Sequence, residues 1–551
     1  MQSGAAAVIS SLLPASGVTA NSSIAWSRLA YITDTFGPRF SGSAALEAAL
    51  SWVVQTARDV DGLTVTEQRT QIPRWVRGAE SGSWTTAAGP LTPFPRTKKL
   101  HMVGLGMSIG TPGGQPITAP GYVIFGASPD AANASLQLEC EAIRAQRAIV
   151  LFNVPFTTYG ATVGIRGIAG TIAAACGAQA ALIRTVGAYS LQNPHTGYTM
   201  NASIPAAAVS LEDAAQMQRM WDRGQAFSIT LQMDSYYDGL VDSRNVIIDY
   251  TGSTNPGEVV LVSGHGDSWD IAEGAMDDGG GFVTAWEAVR TLKALGLQSP
   301  RTVRAVVFVN EENGDHGGDQ YAADLLNATY QGIANHSWAL ETDIGPFAPY
   351  GIGVGCAVGA DCGAAQAQLA LIGAALLGGI GSGNVSSGGG GTDVDPTCAQ
   401  GVVCSGLNVL DPRLTSDSNN PCTADAMGVW GPPSYDAANP QLYDSQYFWV
   451  HHSEADTMER VDPRQLNHGA AALAVWAYAI ALLPTLLPRD APAPPAPSTS
   501  GGAASAGDGG LAAGAGGGVA GALALGLIIF LVRRQQKAAA AAAPDYSAVD
   551  A

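Results

Sequence analysis

Basic residues are scarce in this chain. Twenty-seven Lys and Arg stand against 46 Asp and Glu, a formal net charge of −19 at pH 7. That balance leaves nothing to neutralise phosphates over an extended face, which excludes a nucleic-acid partner. Cysteine is sparse as well: seven in 551 residues is far below the density of a small disulfide-held scaffold. No triplet glycine period and no sustained heptad is present, so collagen and coiled coil are ruled out. Only one long apolar run occurs, near the end, which rules out a multi-span membrane protein. The 68 glycines and 31 prolines fall short of the roughly 25–30% that marks a low-complexity chain. What is present in quantity is apolar: 46% of residues, ample for a large core. At about 150 residues per domain the length suggests three or four units.

The apolar run lies between Leu511 and Val532, without a charge, and Arg533, Arg534 and Lys537 follow it. Its length suffices for a bilayer core of about 30 Å, and the basic flank predicts a cytoplasmic tail. Gly514 and Gly518, like Gly517 and Gly521, have a spacing compatible with a homodimer. At the other end, Ala5 to Leu13 with Val18-Thr19-Ala20 is a candidate signal segment, though it lacks a basic start. Asn-x-Ser/Thr triplets at Asn21, Asn133, Asn201, Asn327, Asn335 and Asn384 exceed chance and favour the secretory route. The expected location is a single-pass membrane protein with its body outside the cell or in a lumen, lysosomal and vacuolar included.

Composition divides the chain further. Residues 1–20 hold the candidate signal and 21–85 read as helix, loop and strand, with Ala45, Leu46, Ala49, Leu50, Val53 and Val54 at helical spacing. Residues 86–235 change to short apolar runs between turns, an inserted unit. Residues 236–487 alternate apolar strands with amphipathic helices, the pattern of an α/β doubly wound mixed sheet. Within it, 351–442 is glycine-rich and holds five of the seven cysteines, read as disulfide staples of long loops. Residues 488–510 are a Pro/Gly/Ser-rich linker, 511–532 a transmembrane helix and 533–551 a tail.

Four motifs fall where strands of that sheet should end, the place where open α/β sheets collect ligands. Gly264-His265-Gly266-Asp267 follows the apolar strand Val259 to Ser263, and Asp277-Asp278-Gly279-Gly280-Gly281 opens the next helix. Asn310-Glu311-Glu312 follows Val303 to Val309, and Glu341-Thr342-Asp343 follows another apolar stretch. His451-His452-Ser453-Glu454-Ala455-Asp456 comes later. Singly, a histidine after a strand is more often a satisfied polar group, and an Asp before glycine a helix cap. Together, adjacent carboxylates at a buried strand end are costly unless cations offset them. Imidazole with carboxylate suits zinc, and a pair of zinc ions needs a bridging carboxylate and a nearby base. Asp267, two residues after His265, is placed to hold the other imidazole nitrogen. Chemistry alone leaves His451 and His452 equivalent.

These motifs, with Gly37-Pro38-Arg39-Phe40-Ser41-Gly42-Ser43, Gly104 to Pro112 and Asn193-Pro194-His195-Thr196-Gly197, resemble the co-catalytic zinc peptidases, and within them the carboxypeptidase Q family. The likeness runs from about Ser27 to Pro488. It implies that His265 and Asp343 bind one Zn2+, Glu312 and His452 a second, and Asp277 bridges them. It also implies that Glu311 is the general base, that Asp267 orients His265, and that 86–235 is a protease-associated-like domain. The implied activity is hydrolysis of dipeptides or short peptides. Residues around Pro412 to Asn439 are longer than the family pattern, and the membrane segment is an addition. The alternatives are a zinc aminopeptidase and a peptidase-fold receptor ectodomain without activity. No Gly-x-Ser-x-Gly elbow stands at a strand–helix turn, and His-Glu-x-x-His is missing.

Overall fold

Strands buried on both faces need helices on both sides, and three consecutive apolar runs here meet that condition. The computed structural model describes residues 1–90, 94–200, 203–357, 360–410 and 446–489. Its strands are, in chain order, β1 (Thr64–Val76), β2 (Glu80–Thr86), β3 (Arg96–Lys99), β4 (Met102–Gly104), β5 (Ile117–Phe125), β6 (Ile149–Asn153), β7 (Ala180–Arg184) and β8 (Ala206–Val209). Then come β9 (Ser228–Met233), β10 (Tyr236–Tyr250), β11 (Asn255–His265), β12 (Arg301–Phe308), β13 (His336–Glu341), β14 (Ala348–Gly355), β15 (Asn384–Ser387) and β16 (Val403–Leu410).

One mixed sheet has the order β1-β10-β12-β11-β13-β16-β14-β15. Its centre, β12-β11-β13-β16, is parallel, and β1-β10 and β14 run antiparallel to their inner neighbours. Every residue of β12 and β13 is buried. Side chains alternate between faces, as a pleated strand requires. Val260, Val262, Ala305, Val307 and Leu340 pack on one side with the helices Gly280–Ala294 and Pro463–Ala481. Val259, Leu261, Val306, Phe308 and Ala339 pack on the other, with Tyr321 and Leu325 of the helix His316–Leu326. The sheet is therefore wound on both faces, as its sequence pattern implies. The helix Pro463–Ala481 is buried nearly all round. It is further covered by the N-terminal helix Gln2–Leu12, whose Ala5, Val8 and Leu12 are buried in the same core.

The second sheet, β3-β2-β9-β5-β6-β7-β8-β4, is built wholly from residues between Glu80 and Met233. Val150 and Phe152 of β6 pack with the helices Pro129–Gln146 and Gly164–Ala175, while Ile149 and Leu151 pack with the helix Leu211–Asp222. A Cys140–Cys176 disulfide joins the first two of these helical segments. Cys356–Cys362 and Cys398–Cys404 staple the glycine-rich stretch, as anticipated there. Cys422, Asn201, Pro412 to Asn439, most of the linker and Leu511 to Val532 with the tail lie outside the described residues. Among the described residues no helix is long and apolar enough to cross a membrane.

Candidate metal centre

The carboxyl ends of β12, β11 and β13 lie side by side, so whatever follows each strand is delivered to one place. His265 closes β11 and is fully buried. Glu311 and Glu312 come just after β12, and Asp343 two residues after β13. Asp277 sits in the turn before Gly280–Ala294, and His452 follows the short helix Gln446–Val450.

Asp277 lies at the middle of the group. Its Oδ1 is 3.4 Å from His265 Nε2, and its Oδ2 is 3.2 Å from His452 Nε2. On the His265 side, Asp343 Oδ1 stands 3.5 Å from Nε2 and Glu311 Oε2 3.9 Å. On the other side, Glu312 Oε2 is 3.1 Å from His452 Nε2. His451 also approaches Asp277 Oδ2, at 3.5 Å, with its ring stacked on His452. Asp278 is close by, but its oxygens already accept from the backbone N–H groups of His265 (3.0 Å) and Gly281 (3.1 Å).

The donor set fits a metal. His265 Nε2, Asp277 Oδ2 and Glu312 Oε1 are buried without any hydrogen-bond partner, and a buried polar atom left so is costly. Their spacing permits several three-residue ligand groups, among them His265–Asp277–Glu312 and Asp277–His451–His452. The electrostatics agree. Burial pushes Glu311 well above the usual carboxylate range, with Asp343 adding to it against His265. Burial raises Glu312 as well, reinforced by the charge of Asp277. Burial acts the same way on Asp277, yet His451, His265 and His452 hold its carboxyl well below that range. Too many carboxylates share too few cations.

The surrounding bonds explain how the donors are held. His265 Nδ1 bonds the backbone carbonyl of Asp267 at 3.0 Å, whereas the Asp267 carboxylate is 3.8 Å away. In this arrangement it is the main chain of Asp267, and not its carboxylate, that stands within hydrogen-bond distance of His265. The carboxylate instead accepts from Asn310 N (2.7 Å), Glu311 N (3.3 Å), Glu312 N (3.4 Å) and Ser41 Oγ (2.8 Å). It shapes the loop that carries the two glutamates.

Several residues in this frame had no role assigned from sequence. Asp456 accepts from Met276 N at 2.7 Å and Asp277 N at 3.1 Å. Arg39, fully buried, donates to the carbonyls of Gly266, Glu273 and Gly274, clamping the turn between His265 and Asp277. Tyr447 donates to Asp343 Oδ1 at 3.1 Å. Arg166, from the second sheet's helix Gly164–Ala175, reaches His452 Nδ1 at 3.2 Å. Thr196 N donates to the carbonyl of His452 at 2.8 Å, so both sheets' layers hold that residue. Asn310 and His452 both adopt positive φ (69° and 62°), a conformation that costs a non-glycine residue energy and collects at functional sites.

Comparison with known proteins bears on this geometry. The signature of Peptidase family M28 matches residues 245–358, which include His265, Asp277, Glu311, Glu312 and Asp343 but not His452. Among solved structures, a peptidase M28 precursor from Shewanella amazonensis aligns at a TM-score of 0.72 and 26% identity, over 90% of this chain and 99% of that one. A zinc aminopeptidase from Bacillus subtilis shares the fold at a TM-score of 0.56 and 19% identity, over 83% of this chain and 94% of that one. Carboxypeptidase Q of Bos taurus is 37% identical over 472 residues, 84% of this chain and 87% of its own length. Carried by that similarity across both sheets, the chain belongs to the carboxypeptidase Q family of M28 peptidases.

Proposed function

We propose that this protein is a zinc-dependent exopeptidase that hydrolyses dipeptides or short peptides, with two zinc ions per chain. The supporting observation is Asp277, whose two oxygens face His265 and His452 separately while Asp343 and Glu312 flank those imidazoles. In this reading His265 and Asp343 would hold one ion and Glu312 and His452 the other, with Asp277 between the two pairs. Zinc bound there supplies Lewis acidity and a water of lowered pKa.

The chain's own residues do the rest. Glu311 is 16% exposed at its side chain, with Oε2 3.9 Å from His265 Nε2. Its role is to accept the water's proton and return it to the leaving amine. Asp267 holds the backbone of Glu311 and Glu312, and the Asp267 carbonyl fixes the His265 ring. Tyr447 and Asp456 restrain Asp343 and Asp277. Residues 86–235 serve as a protease-associated-like domain over the site, a reading supported by the bond from Thr196 N to the carbonyl of His452. The secretory route is supported by the three disulfides and by exposed acceptor asparagines at Asn21, Asn327, Asn335 and Asn384. The membrane anchor rests on Leu511 to Val532 and its basic flank.

Glu311→Gln tests the division of labour. It keeps size and shape, so zinc content should stay at two while turnover falls by about 10²–10⁴-fold. Loss of a zinc ion, or near-normal turnover, would overturn the assignment.

A further inference from the structure

A buried guanidinium without an acid beside it needs an anion from elsewhere. Arg166 is 8% exposed. Its Nη2 donates to Tyr159 Oη at 3.0 Å, its Nη1 lies 3.5 Å from the carbonyl of Thr196, and its Nε has no partner. Other buried or half-buried arginines are provided for. Arg28, Arg77, Arg301 and Arg304 pair with Asp61, Asp270, Glu258 and Asp249, and Arg39 spends its donors on carbonyls. Among the described residues no carboxylate forms an ion pair with Arg166.

Its remaining contact, Nη1 to His452 Nδ1, is incompatible with a metal on the far side of that ring. An imidazole that gives Nε2 to a metal keeps its hydrogen on Nδ1, and a guanidinium can only donate. Two N–H groups would then face each other. With zinc present Nη1 keeps only its long 3.5 Å contact with the Thr196 carbonyl, and Nε is left without an acceptor among the described residues.

Resting on the exopeptidase reading above, we propose that Arg166 binds the free C-terminal carboxylate of the peptide, which sets the enzyme's requirement for an unblocked C-terminus. Arg166 stands one imidazole's breadth plus a 3.2 Å contact from His452 Nε2, a separation that one residue of extended chain, about 3.5 Å, and a hydrogen bond of about 2.9 Å can span. A guanidinium there also repels an α-ammonium group, so the position favours the carboxyl end of a substrate over its amino end.

The experiment uses the full-length, zinc-loaded protein and a dipeptide panel in which each member has either a free carboxylate or a carboxamide. Wild type should favour the acid in kcat/KM by about 10–100-fold, the worth of one charge-assisted hydrogen bond. Arg166→Met should collapse that ratio towards one, chiefly through KM, with zinc content unchanged, and Arg166→Lys should keep part of it. Titration with leucine and leucinamide gives a readout without turnover: Arg166→Met should weaken leucine about 10–100-fold and leave leucinamide as it was. A wild-type enzyme that treats acid and amide alike overturns the proposal whatever the variants do. So does a variant that loses zinc or kcat yet keeps the acid preference, since Arg166 would then only position His452. If wild type cleaves neither series, the exopeptidase reading fails, and the leucine titration still decides the role of Arg166.

Discussion

Replacing Asp267 with Asn separates a framework role from a ligand-orienting one. The carboxylate is fully buried and accepts four hydrogen bonds, three of them from the consecutive N–H groups of Asn310, Glu311 and Glu312. Asparagine keeps one acceptor oxygen and turns an amide NH2 towards either the Asn310 or the Glu312 side. On the Asn310 side two backbone N–H groups, those of Asn310 and Glu311, then face another donor, and on the Glu312 side one does, at about 1–3 kcal/mol, while the surviving bonds drop from charged to neutral, at about 1 kcal/mol more. Relief of repulsion between Asp267 and Glu312 offsets part of this, because Asp267 contributes to the raised pKa of Glu312. The net expectation is about 2–4 kcal/mol of lost stability in the chelated, zinc-free protein. Urea unfolding of both proteins in excess chelator reads it directly. Zinc affinity should fall as well, by about 10–100-fold, because the loop carrying Glu312 loses its anchor. Unchanged stability of the zinc-free variant, within about 0.5 kcal/mol, with a selective loss of zinc would refute this reasoning and return the carboxylate to His265.

Two further outcomes are expected. His336 accepts from Tyr321 Oη at 2.9 Å and donates to the Gly332 carbonyl, and burial, with Arg304 adding, holds its pKa down at about 3. An unfolded His titrates near 6.5, so between that pH and about 3 the unfolded chain binds a proton that the fold refuses. Stability falls as pH falls through this window, by up to about 1.4 kcal/mol per unit from this residue. The stability difference between wild type and His336→Gln should therefore shrink on acidification from pH 6 to 4, and a pH-independent difference refutes it. For the anchor, protease added to sealed vesicles should clip only the residues after Val532, and digestion of the peptidase body would contradict that topology.

The parts of the fold that periodicity controls were readable before any coordinates. The apolar runs at Val259 to Ser263 and Val303 to Val309 fall in β11 and β12, and the short apolar runs of 86–235 include β6, β7 and β8. The first half of β10, exposed along most of Tyr236 to Asp242, carries no such signal, because it pairs only with the edge strand β1. In the site, the donors stood out by type and by position after strands. Arg39, Asp456 and Arg166 did not, although Arg39 and Asp456 lay within motifs that had been singled out. Their partners are backbone groups or rings from segments far away in sequence, which spacing cannot pair. Asp267 is the instructive case: its place beside His265 was legible, while the choice between carbonyl and carboxylate depends on where the β12 loop comes to rest.

Asp277 collects one imidazole from the middle of the chain and another from near the end of the folded body. On a ribosome those two histidines emerge roughly 190 residues apart, a lag of about 10–40 s at ordinary elongation rates. The strand ends carrying the first half of the site can fold meanwhile, but they hold an incomplete donor set until His452 arrives. On the ligand assignment proposed above, a nascent or prematurely terminated product that ends before His452 is hydrolytically inert, and the cell that makes this peptidase is spared its activity until the chain is nearly finished.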